Sequence, residues 1–246
     1  MSALAAALAA AFGLVVLDRW RRSRRPAFAA WAAGLFIFAA AALTQALGEH
    51  SGFSVPLFRA FYLLGGVLGV IYLALGTLFL LAPARGARVS AGVLLVLTFL
   101  LSLQAALAPV DLSKLGATAA RAPRLSDAFD APTLVAAAVV FNIVGTLVLC
   151  GGSAWSAWRF ARGNSGLDRV VCNVLLTVGA LIIAFGFSAL KVGATIHFST
   201  LGLYEAVGIA VMFAGFLSLG RVGRTAPRRS TLGEDGPVQP AANSTR

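Results

Sequence analysis

The sequence predicts an all-α polytopic membrane protein of seven transmembrane helices, with its N-terminus outside and its C-terminus in the cytoplasm. Three observations carry this. First, the 246 residues are 59% hydrophobic and 12% charged, with a mean hydropathy of +0.87; soluble domains carry roughly 45–50% apolar and about 25% charged residues. Second, seven stretches approach or exceed the roughly 20 apolar residues that cross a bilayer core: 2–17, 27–47, 57–82, 88–108, 133–158, 170–191 and 199–220. Third, the basic residues gather on one side of the alternating connections. Such a composition excludes a soluble enzyme, a disordered chain and a disulfide-stapled secreted module.

The first span, 2–17, is short and alanine-rich. Only Met1 and Ser2 precede its apolar run, and Arg19, Arg21, Arg22, Arg24 and Arg25 follow it. A secretory leader has the opposite arrangement, so an uncleaved span with an external N-terminus is expected. Spans 27–47 and 88–108 match the hydrocarbon thickness, whereas 57–82 and 133–158 are long enough to tilt. Spans 170–191 and 199–220 complete the bundle. The nine prolines, Pro26, Pro56, Pro83, Pro109, Pro123, Pro132, Pro227, Pro237 and Pro240, all lie in connections or tails. A spanning helix must satisfy its own backbone, which proline prevents.

Seven spans place the connections 18–26, 83–88 and 159–169 and the C-terminal tail on one side. Of the twenty Lys and Arg residues, all but Arg59, Lys114, Arg121, Arg124 and Lys191 fall there. The positive-inside rule makes that side cytoplasmic, in the plasma membrane or a bacterial inner membrane. Trp20, Trp31, Trp155 and Trp158 lie near the same ends, as an aromatic belt would. The formal charge of +11 is therefore a topology signal with an attraction to anionic lipid. No folded basic domain is present to bind nucleic acid.

The outer connection 109–132 reads as an ordinary long loop, with a lid over the bundle as the alternative. The tail 221–246, rich in Pro, Gly, Ser and Thr, is expected to be disordered. No output domain follows the bundle, so a sensor of this kind needs a separate partner.

Residues 34–54 align on 179–199, with identities at Gly34/Gly179, Ile37/Ile182, Ala39/Ala184, Gly48/Gly193, Phe53/Phe198 and Ser54/Ser199. A repeat of this offset relates spans one to three to spans five to seven, with the fourth as linker. Both triplets then share one orientation, a parallel repeat. The layout resembles the three-plus-one-plus-three plan of SWEET and PQ-loop transporters and of opsin-like bundles, although the Pro-Gln dipeptide is missing. Locally, LFRAFYLLGGVLGVIYLALGTLFLL at 57–81 and NIVGTLVLCGGSAWSAWRF at 142–160 resemble an uncharacterised family of bacterial seven-helix integral membrane proteins. That resemblance implies a membrane location and supplies no activity.

Charged groups within spans are costly and mark functional candidates. Glu205 is the clearest. The repeat makes it equivalent to Arg59, and Lys191 is a second candidate partner. Gln45, His50, Tyr62, Gln104, His197 and Tyr204 share the outer half, and Asn142 lies deeper. Together they suggest an outward-facing polar cavity for a small solute or ion. The plainer reading is an ion pair of Glu205 with Arg59 or Lys191 that ties helices together, with basic side chains snorkelling to the headgroups. Gly65 and Gly69 form a small-xxx-small pair, and Gly145, Gly151 and Gly152 thin the fifth span; close helix packing is the expected use.

No enzyme is expected. There is no His-Glu-x-x-His run and no Walker loop. Two histidines cannot ligate two haems, and the last span lacks a retinal lysine. Cys150 and Cys172 read as packed thiols, and no cofactor or metal is expected. Expected partners are the bilayer, a small solute or ion, and a cytoplasmic protein or a second copy of the chain. Transport or binding leads, with a receptor-like or accessory role as the alternative.

Overall fold

The computed structural model describes residues 1–111, 130–163, 166–191 and 198–221, and their side chains except at 188–191, 198–199 and 220–221. The described residues are helical throughout the seven spans and contain no strand. The helices are α1 (Ser2–Ser23), α2 (Pro26–Ser51), α3 (Val55–Leu81), α4 (Ala84–Leu107), α5 (Pro132–Arg162), α6 (Leu167–Lys191) and α7 (Phe198–Arg221). Each is long and apolar enough to cross a membrane, and the chain is a multi-pass membrane protein.

Prolines set several of the starts. Pro26 and Pro132 open α2 and α5, Pro56 sits in the first turn of α3, and Pro83 caps α4. At these positions the missing N–H costs no helical hydrogen bond. At its C-terminus α1 differs from the sequence expectation. It continues past residue 17 through Asp18, Arg19, Arg21 and Arg22, because these residues sustain a helix and nothing before Pro26 breaks it. Arg24 ends it in the left-handed conformation (φ 55°), with its N–H bonded to the Trp20 carbonyl.

Two meeting points fix the directions of α1, α2 and α7. At one end the start of α1, the end of α2 and the start of α7 converge, with Ser2 bonded to Glu49 and backed by Gly202. At the other, the Arg19 guanidinium lies 5.5 Å from the Phe28 ring and 5.6 Å from the Phe216 ring. Hence α1 and α7 run parallel, and α2 runs against both.

Six helices form a closed ring in the order α1, α2, α3, α5, α6, α7. The fourth helix, α4, stands outside it, held loosely against α3 and α5. Among its polar tethers is the contact of Tyr72 Oη with Thr98 Oγ1 at 3.1 Å, while Val93, Val96, Phe99, Leu103 and Leu107 are exposed. Lipid covers such a surface as well as protein does, so ring contacts depend on close van der Waals fit. Small residues provide it. A Cβ on Gly34 would lie 2.8 Å from the Leu73 nitrogen, and one on Gly145 2.9 Å from Val70 Cγ1. The main apolar core draws on all six ring helices around Phe12, which stacks on Phe213 at 4.9 Å. A second core joins α3, α4 and α5 around Phe58, Tyr62, Leu101 and Leu134.

One helix is irregular. Between Tyr62 and Leu68, α3 widens into a π-helical stretch, and Gly65, Gly66 and Gly69 lie in or beside it. Such stretches are rare and concentrate at functional sites.

Candidate functional site

The π stretch borders a cavity of about 460 Å³ near the middle of the helices. Its walls come from α3 (Gly65, Gly69), α5 (Asn142, Thr146) and α6 (Ala180, Ala184), with Phe38 and Met212 behind. The volume lies within the roughly 300–1,000 Å³ of small-molecule sites. Val139, Ile143 and Leu147 line it and are also exposed on the lateral surface of α5, so the cavity reaches towards lipid.

Asn142 anchors the polar wall. Its Nδ2 donates to the Gly66 carbonyl at 2.5 Å, inside the π stretch, and to the Ala138 carbonyl at 2.7 Å. Two carbonyl acceptors fix which end of the amide is nitrogen. Both donors are thereby used, and Oδ1 remains as an acceptor with no donor among the described residues. The rest of the lining is almost wholly apolar.

The ten residues singled out from sequence do not line one cavity. Of those whose side chains are described, Asn142 alone lines this space. Tyr62 packs on Phe58 in the α3–α5 core. Gln104 donates to Thr133 Oγ1, joining α4 to α5. Tyr204 meets the Phe185 ring edge-on at 5.8 Å, and His50 is exposed at the end of α2. The Lys191 side chain and His197 lie outside the described residues, as do 112–129 of the outer connection and the tail from 222.

The expected pairing of Glu205 with Arg59 is absent. Arg59 Nη2 instead donates to the Ala108 carbonyl at 2.7 Å, at the end of α4. The ring order explains this. Glu205 is on α7, which packs on α1, α6 and the edge of α2, whereas Arg59 is on α3, among α2, α4 and α5. The two residues that the expected repeat would make equivalent therefore stand across the bundle from each other.

Glu205 belongs to a different group. It is 3% exposed, and its Oε2 has no hydrogen-bond partner. Its electrostatic partners are the Glu49 carboxylate and the α-amino group. Beside it Ser2 Oγ donates to Glu49 Oε1 at 2.6 Å, and Gln45 Nε2 donates to Ser2 Oγ at 3.0 Å and to Glu49 Oε1 at 3.1 Å. Gln45 and Ser2 are fully buried, while Glu49 is exposed. Sequence reasoning named Gln45 and Glu205 but missed Ser2, whose only signal was its place at the start of an apolar helix. Both cysteines are free and buried, Cys150 lining the cavity.

No protein-family model matches the chain, and no curated protein or solved structure is significantly similar to it.

Proposed function

We propose that this integral membrane protein binds, or carries across its membrane, a small and predominantly apolar solute, with the cavity between α3, α5 and α6 as its site. One observation carries the reading: a cavity of about 460 Å³ among the apolar helices whose polar wall is an asparagine with both donors used and its acceptor without a donor among the described residues. The complementary solute is apolar with one hydroxyl or amine donor. One amide and one hydroxyl at the wall support binding rather than catalysis.

In the same reading the N-terminus is outside and the arginine-rich ends are cytoplasmic. Cations held against aromatic rings at those ends support this: Arg162 lies 4.1 Å from the Trp158 ring and Arg24 5.4 Å from the Trp20 ring. The same basic face favours a second reading, a receptor-like or accessory protein acting through a separate cytoplasmic partner.

The test uses a diazirine-bearing long-chain alcohol, photolysed with the protein in lipid nanodiscs. Labels are expected on α5 between 139 and 150 and on α6 between 180 and 187, in preference to lipid-facing α4. Filling the space with Ala184→Trp removes the preference. Equal labelling of α4 and α5 in the unsubstituted protein refutes the proposal.

A further inference from the structure

Separate from the cavity, the last turns of α5 carry an aromatic and cationic patch that stays uncovered among the described residues. Trp155 and Trp158 are 55% and 45% exposed, and their ring centroids lie 4.8 Å apart. The Arg162 guanidinium lies 4.1 Å from the Trp158 ring centroid. Arg159 is exposed one turn beyond Trp155. Spacings of three and four residues put all four on one face of the helix. Arg169, 5.6 Å from the Phe160 ring, brings a further cation from the start of α6.

The two α5 arginines have no carboxylate partner among the described residues, and Asp168 in the first turn of α6 pairs with neither. Other arginines are engaged differently. Arg22 pairs with Asp18 at 3.0 Å, Arg19 lies against the Phe28 and Phe216 rings, and Arg88 donates to the Ala84 carbonyl at 3.1 Å. A guanidinium stacked on an indole keeps its N–H edge free, and that edge matches two oxygens of a phosphate. Indoles at the end of a spanning helix sit at headgroup level. Towards the middle of α5, Gly151 lies one turn from Trp155 and one turn from exposed Leu147, and a Cβ there would meet nothing within 4 Å. The notch from Trp155 to Leu147 runs for about 12 Å along the axis. One leaflet contributes roughly 15 Å of hydrocarbon.

We infer that Trp155, Trp158, Arg159 and Arg162 form a site for the phosphate headgroup of an anionic phospholipid, with one acyl chain along the notch at Gly151. Charge complementarity selects the headgroup: two guanidinium groups without carboxylates favour a net negative lipid over a zwitterion, whose own cation is repelled. The position selects a lipid over a dissolved anion. The indoles and the notch offer an acyl chain apolar contact that free phosphate cannot use.

The experiment adds equal amounts of phosphatidylglycerol and phosphatidylcholine with identical chains to the purified full chain in detergent. Native mass spectrometry reads how much of each stays bound. Phosphatidylglycerol is expected to be retained at least about fivefold over phosphatidylcholine, the effect of one arginine near an anionic surface. Arg159→Gln combined with Arg162→Gln removes the preference, whereas Arg85→Gln combined with Arg88→Gln, at the start of α4, keeps it. Excess inorganic phosphate leaves the bound lipid in place. A phosphatidylglycerol with a photoreactive headgroup gives a second readout that needs no variant to fold, labelling 155–162 in preference to 85–88. Equal retention of the two lipids by the unsubstituted protein overturns the site, and so does a preference that survives the paired α5 substitutions. Displacement of the lipid by inorganic phosphate overturns it in favour of a dissolved anion, and labelling that favours 85–88 overturns its position.

Discussion

Asn142 on α5 donates a 2.5 Å hydrogen bond to the Gly66 carbonyl, in the one stretch of α3 that departs from α-helical geometry. A backbone oxygen facing hydrocarbon has no water to turn to, so a side chain from the neighbouring helix supplies the donor. Asn142→Leu keeps the γ-branched shape and removes both donated bonds. The expected loss is about 1–3 kcal/mol, read as a lower unfolding midpoint in detergent. An unchanged midpoint shows that Gly66 finds another partner.

Glycines of α5 separate a packing role from a composition effect. At Gly145 a Cβ meets Val70 and the Ile71 backbone, whereas at Gly151 nothing lies within 4 Å. Gly145→Leu is expected to cost about 1–3 kcal/mol or more through overpacking. Gly151→Ala should leave stability unchanged or raise it by up to about 1 kcal/mol. Chemical denaturation of the two variants side by side checks the contrast, and equal effects contradict it.

The Ser2 hydroxyl bridges α1 to α2 through Glu49 and Gln45. Ser2→Ala breaks a charge-assisted bond at an exposed carboxylate, so a loss of about 1 kcal/mol is expected. The first turn of α1 should also exchange its amide hydrogens faster. Unaltered exchange there means that Gly202 packing alone holds the helix end.

Orientation is open to direct measurement. With Cys150 and Cys172 replaced by alanine, a cysteine at Ser51 is expected to react with an impermeant maleimide added to intact cells. A cysteine at Ser23 should react only after permeabilisation. The reverse pattern inverts the assignment.

Much of the architecture was legible because span length, proline position and arginine distribution are local signals. Gly34 and Gly179, paired in the proposed repeat, both sit where a second-of-triplet helix touches its successor, against Leu73 and Met212. The candidate site was less legible. Polar residues draw the eye in an apolar chain, but a cavity walled by Val, Ile, Leu and Ala carries no polar mark. The π stretch left one trace, Gly65, Gly66 and Gly69, which reads equally as close packing. Glu205 was recognisable as costly, yet its neighbours come from α1 and α2, more than 150 positions away in sequence. Helix equivalence in a repeat does not mean contact, which is why Arg59 was the wrong partner.

The ring order also has a consequence for synthesis. Helices α1, α2 and α3 can associate as they enter the bilayer, but α3 next meets α5, with α4 waiting outside. The face of α1 carrying Phe12 is covered only when Phe213 and Phe216 arrive on the last helix. Assembly therefore stays open until translation is nearly finished, and a ribosome that stops before α7 leaves a nascent chain with an unsealed seam.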